Sequence, residues 1–203
     1  MTCCRPCAVH RTSIQADRIA PVSPPARPEH AGAAGCRGRK LASPEVRKYL
    51  GGPRPRTELE NAVPEVPGRR PGVFVVDHEG VMIGVVTLDR RDPERPGHVR
   101  PDGGEAELNY MLLPEAWGRG YAYEACAAAL GWFADAFPGE PVVLCTQVAN
   151  GRSVRVAAKL GFTEVEQFDE FGAEQWFGVR YSVPRAHSSS RRPLRTWPVG
   201  RAR

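Results

Sequence analysis

The chain has 203 residues, 41% of them hydrophobic, enough for one domain of ordinary size with a buried core. No apolar run approaches the roughly 20 residues that span a bilayer, and the first residues carry Arg5 and Thr12-Ser13 in place of a continuous apolar segment. On these features neither a helical membrane anchor nor a signal peptide is expected, and a soluble, cytoplasmic protein is.

The formal charge of +5 is unevenly spread. Residues 1–42 carry a net +5 and residues 185–203 a net +6, so subtracting both from the total leaves −6 for residues 43–184. The basic character belongs to the ends, and an acidic centre argues against a nucleic-acid-binding core. Of six cysteines, Cys126 and Cys145 fall in apolar segments, where a free thiol packs as a small hydrophobe. Cys4 and Cys7 have the spacing of half a metal knuckle. A second pair is missing, since only Cys36, His10 and His30 stand nearby, so no metal site is expected.

In chain order, residues 1–42 are rich in Pro, Arg, Ala and Gly and show neither helical nor strand periodicity. They read as disordered, with a possible strand remnant at residues 14–19. Order is expected from Ser43, which can cap a short helix from Pro44 through Val46 to Leu50, stopped by Gly51-Gly52. Thr57-Glu58-Leu59-Glu60 has capping-box spacing and predicts a second short helix. Val73–Val76 and Val81–Leu88 are β-rich runs joined by His78-Glu79-Gly80, a hairpin signal. From Glu105 to Leu113 the chain alternates, with Ala106, Leu108, Tyr110 and Leu112 on one face and Glu105, Glu107, Asn109 and Met111 on the other.

A long helix is predicted from about Gly120 to Phe137, where Ala122, Cys126, Ala129, Phe133 and Phe137 recur at helical spacing and Pro138-Gly139 ends the run. A strand over Pro141–Val148 and a helix over Asn150–Leu160 follow, the helix capped by Asn150 and stopped by Gly161. Thr163–Phe168 and Gln175–Val183 are the closing strands, with an acidic, aromatic loop from Phe168 to Glu174 between them. Residues 185–203 read as a disordered basic tail. The alternation of helices and strands predicts a mixed α/β (α+β) sheet with helices packed on it.

The segment Trp117-Gly118-Arg119-Gly120-Tyr121-Ala122 lies between a strand and a helix. Free N–H groups and the macrodipole at a helix start attract an anion, and Gly118 and Gly120 let the backbone come close to one. Arg119 adds a charge that faces either a phosphate or solvent. The turn lacks the third glycine of a dinucleotide site and the Lys-Ser/Thr of a Walker loop.

This turn resembles the acetyl-CoA motif of the GNAT superfamily of N-acetyltransferases, Gln/Arg-x-x-Gly-x-Gly/Ala, with Trp117 at the Gln/Arg position, Gly120 at the first glycine and Ala122 at the last. Trp117 itself, with Pro114-Glu115 before it and Glu124-Ala125 after it, is similar to the RimJ/RimL-like branch. A second block agrees: Asn150-Gly151-Arg152-Ser153, then Lys159-Leu160-Gly161-Phe162. The resemblance covers roughly residues 43–184 and implies a mixed, mostly antiparallel sheet flanked by helices.

It also implies roles. The amides from Gly118 to Ala122 would hold the pyrophosphate of acetyl-CoA, and the strand end at Met111, Leu112 and Leu113 would pair its backbone with the pantetheine arm. Asn150 would contact the pantetheine or the acyl region, and Ser153 would lie beside the thioester sulfur; the bland alternatives are a helix cap and a first-turn polar residue. The expected reaction is direct attack by a primary amine, of a small molecule or a protein N-terminus. The attacking nitrogen must first lose a proton. Glu107 is the expected base, Glu105 the substitute and His98 a distant alternative; a solvated strand carboxylate is the competing reading of Glu107. Many members of the superfamily carry a Tyr seven residues after the Asn, where this chain has Ala157. That leaves Ser153 or water as the acid, and leaves a catalytically silent acyl-CoA-binding protein as the alternative. The acceptor groove is expected between the first two helices and the final hairpin. No nucleic-acid or membrane partner is expected, and the protein is expected to be a monomer or homodimer.

Overall fold

In the computed structural model, residues 44–50 and 71–181 are described. Ser43, the Thr57–Glu60 segment, the possible strand at 14–19 and both terminal segments lie outside the described residues.

The short helix α1 spans Pro44–Arg47 and is followed by a turn closed by Leu50 N–H donating to the Arg47 carbonyl at 2.9 Å. It is shorter than expected: residues 48–50 are turn and Leu50 is exposed. Strands β1 (Val73–His78) and β2 (Val81–Arg90) form the predicted hairpin. Glu79 and Gly80 both have positive φ, 55° and 78°, the geometry whose twist matches paired strands. The Asp77 carboxylate accepts from Gly80 N–H at 2.8 Å and steadies the turn.

Strand β3 (Ala106–Leu112) pairs antiparallel with β2 along its whole length. A 3-10 turn at Pro114–Ala116 leads to helix α2 (Tyr121–Ala136). Strand β4 (Val142–Gln147), helix α3 (Gly151–Lys159) and the hairpin β5 (Thr163–Glu170) and β6 (Ala173–Arg180) complete the chain. The sheet order is β1-β2-β3-β4-β6-β5, antiparallel except where β3 meets β4. This is the mixed, mostly antiparallel α/β sheet with flanking helices that the sequence implied.

The final hairpin differs from expectation. Its strands run to Glu170 and from Ala173, leaving a two-residue turn of Phe171 (φ 53°) and Gly172 (φ 73°) instead of the seven-residue loop. Glu170 and Ala173 are paired directly. Strand alternation was hidden because β5 is an edge strand whose residues are mostly exposed on both faces.

The core divides at the sheet. On the helical face, Cys126, Ala129, Leu130 and Phe133 of α2 pack on Phe74, Val86, Leu88, Leu108 and Leu144. On the other face Val143, Phe177 and Val179 form a smaller cluster with Val99, Cys145 and Phe168. Arg91, 1% exposed, anchors the connection from β2 to β3 against this second cluster, donating to the carbonyls of Gly97 (2.8 Å) and Pro96 and lying 5.2 Å from the Phe177 ring centre.

Candidate functional site

The parallel pairing of β3 with β4 covers only Ala106 with Val142 and Glu107 with Val143. Beyond Glu107 the two strands diverge, and the opening between them is part of a cleft of about 1110 Å³. Its walls include Leu108–Leu112 of β3, Leu144–Thr146 of β4, the turn at Trp117, Gly118 and Gly120, and the first turns of α2 and α3. Glu45, Val46 and Tyr49 of the α1 region close part of it.

At one end lies the start of α2. Its cap residue Gly120 has φ 87° and supplies no side-chain cap, and Gly118 has φ 75°. Both glycines are needed for conformation, since L side chains seldom adopt such φ values. A Cβ at Gly118 would meet nothing within 4 Å, and one at Gly120 only Glu124 Oε1 at 3.8 Å. An uncapped helix start facing open space is a seat for an anion. Tyr121 is turned away from the opening at its hydroxyl, which hydrogen-bonds His78 Nε2 at 3.1 Å with the rings 4.9 Å apart. Ala122, one residue on, borders the cleft.

Two of the expected cofactor contacts lie differently from the rest. Arg119 does not border the main cleft; it is exposed and lines a smaller pocket with His78, Glu79 and Glu115 on the other side of the turn. At the strand end, Leu113 N–H is spent on the Ile83 carbonyl at 2.8 Å, so Leu113 and, by alternation, Met111 direct their backbone groups to β2. The backbone of Tyr110 and Leu112 faces the gap. The Leu112 carbonyl there is held by Trp117 Nε1 at 2.9 Å, so Trp117 fastens the turn to the strand, with Arg152 lying 6.0 Å over its ring.

At the start of α3, Asn150 Oδ1 accepts from Ser153 N–H at 3.3 Å and Asn150 Nδ2 lies 3.5 Å from Thr146 Oγ1. Asn150 is thus a helix cap that also borders the cleft. Ser153, 8% exposed, has its hydroxyl 2.7 Å from that of Tyr110.

The two strand carboxylates are not solvated. Glu105 is fully buried; its Oε1 accepts from the N–H groups of Val99 (2.8 Å) and Arg100 (2.6 Å), and its Oε2 lies 2.8 Å from His98 Nδ1. Burial alone pushes its pKa up, but the His98 contact and the backbone donors outweigh it and hold the carboxyl below its usual range. It is a staple for the β2–β3 connection. Glu107 is 6% exposed, ion-paired to Arg91 at 2.8 Å and to Arg95 at 3.5 Å, and it does not border the cleft. Burial raises its pKa, and the pull of Arg91 and Arg95 only partly offsets this. Arg95 continues the network through paired contacts of 2.8 Å with both oxygens of Glu170 and lies 5.4 Å from the Phe171 ring. The hairpin end is therefore committed to this network, and residues 168–174 do not border the cleft.

Tyr110 and Cys145 border the cleft and were not singled out as site residues. Tyr110 alternates with core residues Leu108 and Leu112, so strand periodicity assigns it to packing. Cys145 reads as a hydrophobe for the same reason, and burial pushes its thiol up to about 11. Only the departure of β4 from β3 reveals that both face an opening.

The sequence pattern of the acetyltransferase (GNAT) domain family matches residues 23–163, more than half of the chain. The chain belongs to the GNAT family. The match begins upstream of Ser43, where the sequence places the start of the domain, and ends where β5 starts. GNAT enzymes are acetyl-CoA-dependent acyltransferases. No curated protein matches the sequence. Three solved structures share the fold at low identity. An acetyltransferase of the GNAT family from Bacillus anthracis has a TM-score of 0.57 and 19% identity, over 71% of this chain and 86% of that one. An acetyltransferase from Agrobacterium tumefaciens has a TM-score of 0.58 and 22% identity, over 77% and 87%. RimL, a ribosomal-protein alpha-N-protein acetyltransferase solved in complex with coenzyme A, has a TM-score of 0.58 and 17% identity, over 81% and 97%. Among the described residues no helix is long and apolar enough to cross a membrane.

Proposed function

We propose that the cleft binds acetyl-CoA and that the protein transfers the acetyl group to a primary amine, of a small molecule or a protein N-terminus, by direct attack. The observation that carries this reading is the divergence of β3 from β4 facing the uncapped start of α2. The pyrophosphate would sit on the amides from Gly118 to Ala122. The pantetheine arm would take the place of a strand in the gap, pairing with the backbone of Tyr110 and Leu112. Asn150, which borders the cleft between α3 and Thr146, would contact the arm near its acyl end.

In this reading Glu107 accepts the amine proton through water arriving beside Asn109, which lies two residues on along the same face of β3 and borders the cleft. Its raised pKa suits a base near neutrality better than an ordinary carboxylate would. The carbonyl carbon then gains a C–N bond and loses its C–S bond. Thiol release from acetyl-CoA over a panel of small amines, amino acids, aminoglycosides and N-terminal peptides tests the proposal. Turnover with at least one acceptor is expected, together with calorimetric CoA binding.

A second reading is a silent acyl-CoA-binding protein. Ala157, fully buried on the face of α3 that Ser153 shares, provides no phenol, and Glu107 is held by two arginines. CoA binding without turnover on any acceptor, and without slow thioester hydrolysis, would favour it.

A further inference from the structure

The two oxygens of Glu107 have unlike surroundings. Oε1 accepts from Arg91 Nη1 at 2.8 Å. Arg91 is 1% exposed, and its Nε and Nη2 are fixed on the carbonyls of Gly97 and Pro96, so this contact cannot adjust. Oε2 has only the far arm of Arg95 among the described residues, at 3.5 Å, the outer limit of a hydrogen bond. The rest of the Arg95 fork is turned to Glu170, with Nε and Nη2 each donating at 2.8 Å to a different carboxylate oxygen. Such a two-point match fixes the guanidinium in direction as well as in distance.

The hairpin holds Glu170 in place. Glu170 ends β5 and is paired directly with Ala173, and Gln175, 6% exposed, donates to the carbonyls of both at 3.0 Å. The Phe171 ring lies 5.4 Å from the guanidinium. Other groups near Glu107 are neutral or occupied. Cys145 of β4 stays protonated at neutral pH, its thiol pushed up to about 11 by burial. Glu105, on the same face of β3, is taken by His98 and the amides of Val99 and Arg100. Asn109 donates to the backbone carbonyl of Glu107, not to its carboxylate. Among the described residues, Arg95 is the adjustable charge beside Glu107.

We propose that Glu170 is a positioning residue for Glu107: it holds the Arg95 guanidinium off Oε2 and so keeps that oxygen basic enough to accept a proton. The catalytic consequence rests on the acetyl-CoA reading above. There, Oε2 takes the proton of the attacking nitrogen through water and returns it to solvent after the acetylated amine leaves. The ionisation of Glu107 does not rest on that reading. Burial raises the Glu107 pKa, Arg91 and then Arg95 pull it down, and Glu170 pushes it up. Freed from Glu170, the fork would close on Oε2 and favour the ionised carboxylate, which is a weaker base.

The test compares the full chain with Glu170→Gln, Arg95→Gln and the double variant. The Glu107 midpoint is followed by carbon-13 NMR of the glutamate carboxyl groups, without CoA or acceptor. Glu170→Gln is expected to lower it and Arg95→Gln to raise it, each by about one pH unit, the size of effect an adjacent charge has on a carboxyl. In the Arg95→Gln background, Glu170→Gln should lose most of its effect, because it acts through the guanidinium. A merely loosened hairpin would lower the midpoint in both single variants, since solvent entry undoes a rise caused by burial. That result overturns the proposal, as does an unmoved midpoint or a Glu170 effect undiminished without Arg95. Either single variant decides alone if the other does not fold: a rise for Glu170→Gln, or a fall for Arg95→Gln, overturns the proposal. In turnover, the acid limb of kcat/KM for the acceptor should move with the midpoint, while calorimetric CoA affinity changes less than about threefold. A limb that stays while the midpoint moves upholds the role of Glu170 and overturns Glu107 as the base. Absence of CoA binding by the wild type overturns the acetyl-CoA reading, and the carboxyl titration still decides the role of Glu170.

Discussion

Glu107 illustrates how one side chain serves two demands. Its carboxylate neutralises the buried Arg91, and removal of one partner from a buried pair leaves the other charge stranded at a cost of about 3–5 kcal/mol. Glu107→Gln should therefore lower the unfolding free energy by that order, read from the denaturant midpoint, as well as slow turnover. A variant with unchanged midpoint and slow turnover would show that Arg91 finds other compensation. Cys145 offers a second check at this scale. Its thiol is pushed up to about 11 and faces the cleft, so alkylation by a small reagent should be slow at neutral pH and slower again with CoA present. CoA without effect on that rate would mean that its arm does not reach β4.

Among the elements, the start of α2 is the most sharply specified. Gly120 at φ 87° would hold an alanine only with a backbone penalty of about 1–2 kcal/mol. Gly120→Ala is expected to weaken CoA affinity at least tenfold while costing about that penalty in stability, read by calorimetry and denaturant unfolding. Unchanged affinity would place the anion seat elsewhere. The β2–β3 connection is specified differently, by buried ions. Glu105 is held low because His98 and two backbone donors outweigh its burial, and Glu170 is held low chiefly by its hydrogen bonds from Arg95. A carboxyl whose folded pKa is depressed contributes stability above its unfolded pKa and loses it as pH falls through the folded one. Glu107 is raised and works in the opposite sense, losing its contribution as pH rises through its folded pKa. Any fall of the denaturant midpoint below about pH 5 should be flattened by Glu105→Gln, which removes one of the depressed groups. An equally steep decline in the variant would assign it to other carboxyls.

For the whole molecule, the cleft exists because the sheet is held firmly on both sides of a deliberate break. Phe133 of α2, fully buried on the helical face, belongs to the cluster that packs the helix on the sheet. Phe133→Ala should cost about 3–5 kcal/mol, measured by denaturant unfolding, and should reduce CoA affinity by loosening the start of α2. A loss below about 1 kcal/mol would mean that the helix collapses onto the cavity. The opposite face relies on Arg91 in place of a larger apolar cluster. Because Arg91 and Glu107 are both buried, their pairing should be nearly insensitive to salt, which screens exposed charges far more than buried ones.

Local signals in the sequence were enough for the order of elements from Val73 onward. Period-two runs, the Asn150 cap and glycine stops act between neighbours, so the chain alone specifies them. The Gly118–Ala122 turn and the Asn150–Ser153 block were legible for the same reason. What the tertiary structure decided was which groups face one another. Glu105 and Glu107 alternate as exposed carboxylates would, but are buried because the preceding β2–β3 connection folds back and brings Arg91 and the amides of Val99 and Arg100 onto them. The two-residue final turn was hidden because β5 has a partner on only one side, so its exposed residues carry no alternation. Tyr110 looked like core because its neighbours are core. It meets Ser153, 43 residues away, only where β4 leaves β3, and a break in strand pairing has no signature in either strand read alone.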